Sequence, residues 1–207
     1  MPSASMNRLM DDARVRLPGA LDGTIQSELF AVVRKFCEDT NVWKMPFDIE
    51  REVATERVML TPDAYTYEII PPTGSRVVRL LGVVDQNAFP VHATMMRPNF
   101  VTFRYSPNAP DTVVAWVALT VADPITRKGE PVVPDWIVES YNDTLLNGVM
   151  FRMMSQVAKP YSNLQLGVAH GQFFKQGISQ ARAESDRGRV QGAQMWTYPR
   201  SFATHRR

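Results

Sequence analysis

The stretch DWIVESYNDTLLNGVMFRMMSQVAKP, residues 135–160, has the clearest secondary-structure pattern in the chain. Apolar and aromatic side chains recur in it at every fourth position, a spacing that places them on one face of an α-helix. This ladder consists of Ile137, Tyr141, Leu145, Val149, Met153 and Val157. With Asp135 as the N-cap after Pro134, and with Pro160 ending it, the pattern predicts one unbroken helix over about residues 135–158. We expect its methionines to be core residues.

Two more amphipathic helices are predicted, over about residues 21–40 and 163–187. The apolar stripe of the first is Leu21, Ile25, Leu29 or Phe30, Val33 and Phe36. The apolar stripe of the second is Leu166, Phe173 or Phe174, Ile178 and Ala181. The residues expected to cap the starts of these helices are Asp22 or Thr24, and Ser162 or Asn163.

Short β-rich runs alternate with turn residues between about residues 47 and 123. These runs are YEIIPPTG, VVRLLGVV, FVTFRYSPNAP and TVVAWVALTV. In the last run, one face carries Val113, Ala115, Val117, Leu119 and Val121, and the other carries Val114, Trp116, Ala118 and Thr120. Because both faces are largely apolar, we expect this strand to be covered on both sides, by the protein's own helices or by a neighbouring subunit.

The order of these elements predicts an α+β fold. One N-terminal and two C-terminal helices form a small bundle, and an antiparallel β-domain is inserted between them. Residues 1–17 are polar and mixed in charge, so they are predicted to be an irregular N-terminal arm. Residues 18–186 form a single body, and residues 187–207 form an extended C-terminal tail.

The composition is that of a globular chain. It has 207 residues, of which 44% are hydrophobic and 21% are charged. No apolar run approaches the ~18–20 residues that span a bilayer, and the N-terminus does not have the pattern of a secretory signal. Cys37 is the only cysteine, so no intrachain disulfide can form. Synthesis in a reducing cytoplasm is expected.

The charge is distributed unevenly along the chain. No acidic residue follows Asp186, whereas five arginines do: Arg187, Arg189, Arg200, Arg206 and Arg207. The rest of the chain has 18 basic and 21 acidic residues, a net charge of −3 against +2 for the whole. The basic tail also contains Trp196, Tyr198 and Phe202. A basic, aromatic tail on a mildly acidic body suggests a partner for the tail, the alternative being a solvated, disordered terminus.

The sequence is poor in catalytic patterns. His92, His170 and His205 do not have metal-ligand spacing, and His170 is expected to be a surface or helix-packing residue. Cys37 lies beside Phe36 on an apolar helix face, which favours a buried, inert thiol. The stretch PPTGSR lacks the Gly-Lys-Ser/Thr ending of a phosphate-binding loop. We therefore expect no enzymatic activity, no cofactor and no metal site.

Three stretches carry a resemblance to a known family. They are LPGALDGTIQSELFAVVRKFCEDTNVW, then VVPDWIVESYNDTLLNGVMFRMMSQVAKPYSN with Gly148 inside its helix, then FFKQGISQARAESDRGR before the tail. In this order around a variable β insertion, they resemble the adaptor proteins, or head-to-tail connectors, of tailed bacteriophages. The resemblance covers the first predicted helix and nearly all residues after Pro134.

The resemblance implies a structural protein of the virion neck. Such adaptors form a ring, usually of twelve copies, beneath the portal protein, and they present a platform to a tail tube or nozzle protein. Viral double-stranded DNA passes through the ring, and no membrane is involved. The C-terminal segment of an adaptor typically inserts into the portal. Here the implied portal-docking residues are Trp196, Tyr198, Pro199, Arg200, Phe202, Arg206 and Arg207.

Two other functions stay open at this point. A nucleic-acid-binding module could stack bases on Phe100, Phe103, Tyr105 and Trp116 and bind phosphates through the basic tail. A tail-completion or terminator protein would also form a ring, but it would bind the tail tube instead of the portal.

Overall fold

In the computed structural model of the protein, the described residues are 4–52, 65–105, 107–122 and 132–188. They contain five helices: α1 (Ala4–Arg16), α2 (Asp22–Thr40), α3 (Asp135–Ser140), α4 (Asn142–Met154) and α5 (Leu164–Gly188). The strands are β1 (Lys44–Arg51), β2 (Thr66–Glu68), β3 (Ser75–Val84), β4 (Ala93–Arg97), β5 (Phe100–Phe103) and β6 (Asp111–Val121). The predicted α+β class, with a β region inserted between helices, is confirmed.

The strands form two small antiparallel sheets among the described residues. The larger sheet has the order β1-β6-β3, and the smaller has the order β2-β5-β4. β3 carries two irregularities in its pairing with β6, between Val77 and Arg79 and between Leu80 and Gly82. Such bulges add twist and change which side chains face each other across the ladder.

The helical bundle has α2 at its centre, in contact with α1, α4 and α5. Its buried side chains include Ile25, Val33, Phe36, Leu145 and Met153, as their spacing predicts. The methionines of α4 are core residues, as expected: Met150, Met153 and Met154 are buried. At Gly148, an added Cβ would lie 2.6 Å from Cγ1 of Val32 and 2.9 Å from Cε2 of Phe174. Glycine therefore lets three helices approach closely at this point.

The N-terminal segment corrects one prediction. Residues 1–17 are not an irregular arm, because Ala4–Arg16 is a helix. Met6, Leu9, Ala13 and Leu17 are buried, and α1 packs on α2, α3 and α4. Ser5 Oγ also donates a hydrogen bond to Glu139 Oε1 at 2.9 Å. The bundle therefore gains a helix that the polar composition of this segment hides.

The predicted unbroken helix over residues 135–158 is also wrong. It is divided at Tyr141, where φ is −123° and ψ is 25°, and it ends at Met154 instead of at about residue 158. The Tyr141 ring packs against Phe36, with centroids 4.9 Å apart, so tertiary packing overrides the local pattern here. Val157, beyond the end of α4, is 87% exposed.

The predicted helix starts and stripes are partly wrong as well. Neither α2 nor α3 has a side-chain hydrogen bond at its N-cap, and the Asp22 carboxylate instead accepts from Arg14 Nε at 2.7 Å. Asn163 does cap α5, since its Oδ1 accepts from the Leu166 N–H at 3.1 Å. Leu21 and Leu166 are exposed, although the stripes included them.

The larger sheet packs its inner face into the core. Val113, Ala115, Val117, Leu119 and Val121 of β6 are all buried there, in one cluster with Val101 and Phe103 of the smaller sheet. Arg51 and Asp111 close one end of this face. Arg51 Nε donates to Asp111 Oδ1 at 2.8 Å, and its guanidinium lies 4.7 Å from the Phe103 ring centroid.

The outer face of β6 is covered along only half of its length. Ala118 and Thr120 are buried, and Thr120 Oγ1 donates to the Arg34 carbonyl of α2 at 3.1 Å. Arg76 of β3 pairs with Glu38 of α2 and fixes the helix over this half. The expectation of cover on both faces is thus confirmed for this half, and the half around Trp116 stays open.

Candidate interaction groove

The open half of the larger sheet forms the floor of a groove of about 660 Å³. Trp116 of β6 lies on this floor and is 42% exposed. Gly82 of β3 lies directly opposite Trp116 in the strand pairing, and Val84 lies opposite Val114. Because directly opposed residues share a face of an antiparallel ladder, the bare Gly82 backbone adjoins the exposed indole.

The walls of the groove come from other elements. Trp136 of α3 is 45% exposed and faces the same space. The α3–α4 junction contributes Tyr141, and the last turns of α5 contribute Glu184 and Ser185. Two half-exposed indoles in one concavity form an apolar surface of the kind that marks binding sites.

Hydrogen bonds fix the end of α5 beside this groove. Ser185 Oγ donates to the Asn41 carbonyl at 3.0 Å, and Lys44 Nζ donates to the Ser185 carbonyl. The Tyr141 hydroxyl donates to Glu184 Oε2 at 3.4 Å. Burial, aided by the nearby Glu184 carboxylate, raises the pKa of Tyr141. The helix therefore ends at a defined place on the body.

The residues predicted to dock into a portal lie outside the described residues. These are Trp196, Tyr198, Pro199, Arg200, Phe202, Arg206 and Arg207. Their prediction still rests on the sequence. The structure shows where the helix before them ends: α5 ends at Gly188, three residues after Ser185.

The other candidates have structural environments. Cys37 is buried, and this burial raises the pKa of its thiol to about 12. His170 Nδ1 lies 2.7 Å from Asn147 Oδ1, and Asn147 Nδ2 donates to the Asp143 carbonyl. Burial and then the positive charge of Arg16 lower the pKa of His170. His170 thus joins α4 to α5, the packing role expected of it.

Neither a metal cluster nor a membrane span occurs in residues 4–52, 65–105, 107–122 and 132–188. No three side chains of His, Cys, Asp or Glu are grouped there so that they could hold a metal ion. None of the helices described is both long and apolar enough to span a bilayer.

The four aromatic residues of the nucleic-acid hypothesis do not share a surface. Phe100 and Phe103 belong to the smaller sheet, whereas Trp116 belongs to the larger one. Phe103 is buried beneath Arg51, and Tyr105 is exposed beside Arg104. These residues therefore cannot form one stacking platform.

Exposed apolar side chains also occur on two flanks of α5. Leu166 and Phe173 are seven residues apart and so lie two turns apart on one side. Leu164 and Val168 are one turn apart, about half a revolution around the helix from the first pair. All four side chains are exposed although the helix packs on α4 between them.

Sequence reasoning missed Gly82 and Trp136 as groove residues. The alternation in the sequence places Trp116 on the outer face of its strand, but it does not show that Gly82 lies opposite and leaves the space there open. No protein-family model matches the chain, and none of the curated proteins compared with it matches. The features that bear on function are therefore the anchored end of α5, its exposed flanks and the sequence that follows it.

Proposed function

We propose that this chain is an adaptor of a tailed bacteriophage. It forms a ring beneath the portal protein, continues the channel for double-stranded DNA, and carries the tail tube or nozzle on its other side. Its C-terminal segment binds the portal. The protein has a structural role in the virion, without enzymatic activity or a cofactor.

The observation that carries this proposal is the junction at the end of α5. A 25-residue helix is hydrogen-bonded to the body at Ser185, three residues before it ends at Gly188. An acid-free segment with Trp196, Tyr198 and Phe202 follows immediately. Aromatic side chains make strong anchors because they bury much area and lose little conformational entropy. A rigid base with such a segment suits insertion into clefts between the subunits of a partner ring.

The exposed flanks of α5 support self-association. A ring needs two different surfaces on each subunit, since its contacts are head to tail. The pair Leu166 and Phe173 and the pair Leu164 and Val168 offer two such surfaces on one rigid helix. In a ring of about twelve copies, weak docking of each tail adds up through multivalency.

The test uses portal rings encoded by the same genome. The full chain is mixed with portal rings, and the mass of the complex is measured by analytical ultracentrifugation. The variant Trp196→Ala/Tyr198→Ala/Phe202→Ala keeps the length and charge of the segment but removes its anchors. We expect about a dozen copies of the full chain per portal ring and at most residual binding of the variant.

A second variant separates charge from aromatic anchoring. Arg200→Gln/Arg206→Gln/Arg207→Gln keeps all three aromatic residues, so it tests whether portal carboxylates pair with the arginines. If the full chain fails to bind an intact portal ring, the adaptor proposal is wrong. Binding to tail tubes instead indicates a terminator protein, and affinity for DNA that falls steeply with salt indicates a nucleic-acid-binding protein.

A further inference from the structure

We infer that the groove beside Trp116 is a docking site for the C-terminal segment of the same chain. In the free protein, one or more of the aromatic side chains among Trp196, Tyr198 and Phe202 occupy it. The docking itself does not depend on the portal. Its consequence for assembly, described below, rests on the proposed function.

The groove has both the surface and the space for aromatic side chains. Trp116 and Trp136 are 42% and 45% exposed, which is a large apolar surface to leave in water. An added Cβ at Gly82 would meet no atom within 4 Å, so the space opposite Trp116 is open. A volume of about 660 Å³ is typical of sites that enclose small organic groups.

The segment begins at the edge of the groove. Glu184 and Ser185 line it, and α5 ends three residues later at Gly188. Trp196 is eight residues beyond Gly188, so an extended chain brings it up to ~27 Å away. A tethered segment also competes well, because its effective concentration is on the order of millimolar.

The groove lining carries one acidic and one basic side chain, and the acidic one suits the same occupant. The Glu184 carboxylate lies at the groove, and the Lys44 ammonium there is bound to the Ser185 carbonyl. The segment after Asp186 has five arginines and no acidic residue. An arginine of the segment can therefore pair with Glu184 while the aromatic side chains fill the apolar floor.

Docking in this groove makes the aromatic anchors unavailable to other partners. A portal ring then has to displace the segment from the groove before it can bind it. The apparent affinity of the free adaptor for the portal is its intrinsic affinity multiplied by the fraction of molecules whose segment is undocked. When the segment leaves the groove, Trp116 and Trp136 become exposed. The groove is therefore accessible to a neighbouring subunit only after portal binding.

The test is hydroxyl-radical labelling of the full chain at low micromolar concentration, without portal, read by mass spectrometry. Trp43, buried at 7% exposure, reports the labelling of a covered indole in the same molecule. In the wild-type chain we expect Trp116 and Trp136 to be labelled as slowly as Trp43. In Trp196→Ala/Tyr198→Ala/Phe202→Ala their labelling is expected to rise by up to about sixfold, the ratio of 42% to 7% exposure.

A second variant changes the groove instead of the segment. Gly82→Leu fills the space opposite Trp116 without meeting other atoms near Cβ. It is expected to raise the labelling of Trp196, because the segment is displaced. Gly23→Leu, at another glycine with open space around it, is the matched control and leaves Trp196 unchanged.

Two results would overturn the inference. Equal labelling of Trp116 and Trp136 in wild type and the aromatic variant means that the segment does not cover the groove. Protection that increases with protein concentration means that a second copy covers it. Neither result depends on whether a portal ring binds, so failure of this inference is distinguishable from failure of the adaptor proposal.

Discussion

Replacing Gly148 with alanine is expected to destabilise the helical bundle, although alanine is the better helix former. The gain in helix propensity is about 1 kcal/mol. Against it, the new methyl group lies 2.6 Å from Cγ1 of Val32 and 2.9 Å from Cε2 of Phe174. Carbon atoms pack best at ~3.5–4.0 Å, so both neighbours have to move by about 1 Å.

Neither neighbour can move freely, because Val32 and Phe174 are both buried. Overpacking of this kind costs ~1–3 kcal/mol, and two tight contacts place this site near the upper end. The net effect of Gly148→Ala is a loss of about 2 kcal/mol in unfolding free energy. For a chain of this length the melting temperature falls by roughly 4–8 °C.

The assay is urea denaturation followed by circular dichroism. Gly23→Ala in the first turn of α2 is the control, since its Cβ would meet nothing within 4 Å. That variant is expected to be neutral or up to about 1 kcal/mol more stable. Adding Val32→Ala to Gly148→Ala relieves the clash, so the pair is expected to show a coupling of about 1 kcal/mol or more. If Gly148→Ala is as stable as the wild type, the close approach of the three helices is wrong.

Three further predictions follow from described contacts. Arg51→Met leaves the Asp111 carboxylate without its arginine partner, and the unfolding free energy measured by urea denaturation is expected to fall by about 2 kcal/mol. This is less than the ~3–5 kcal/mol of fully buried pairs, because Asp111 is one-third exposed. A loss under about 0.5 kcal/mol would refute this prediction. Because the pKa of the Cys37 thiol is about 12, a thiol reagent at pH 8 is expected to label the chain only when it unfolds, and rapid labelling of the native chain contradicts that environment. The pKa of His170 is lowered in the folded chain, so the unfolded chain binds the proton more readily and unfolding free energy is expected to fall between pH 7.5 and 5.5. His170→Gln should reduce this acid dependence, and an identical pH profile would contradict the role given to His170.

The helices of the bundle were predictable where a single apolar stripe packs into the core. Leu145, Val149 and Met153 have helical spacing and are buried as predicted. The helix α1 was not predicted because Met6 and Leu9 stand among arginines and aspartates, so the mixed charge of the segment obscured its apolar stripe. The break at Tyr141 results from packing on Phe36, which is more than a hundred residues away in the chain.

The groove was not predictable for a different reason. It exists because Gly82 lies opposite Trp116, and this pairing depends on the two irregularities in β3. A shift of one residue would turn every side chain of the strand to the other face. Strand register is decided by contacts between distant segments, so the pattern within VVRLLGVV or TVVAWVALTV alone does not reveal it.

The insertion of the β region within the bundle has a consequence for synthesis. Ser5 bonds to Glu139, and Ser185 bonds to Asn41, so these contacts join residues 134 and 144 positions apart. While the ribosome is still translating the strands, α1 and α2 have no α4 or α5 to cover their apolar faces. Contacts between such distant residues form slowly, and exposed apolar surface favours aggregation in the meantime. The nascent chain is therefore expected to depend on chaperones until α4 and α5 have left the ribosome, and assembly-competent subunits appear only after that.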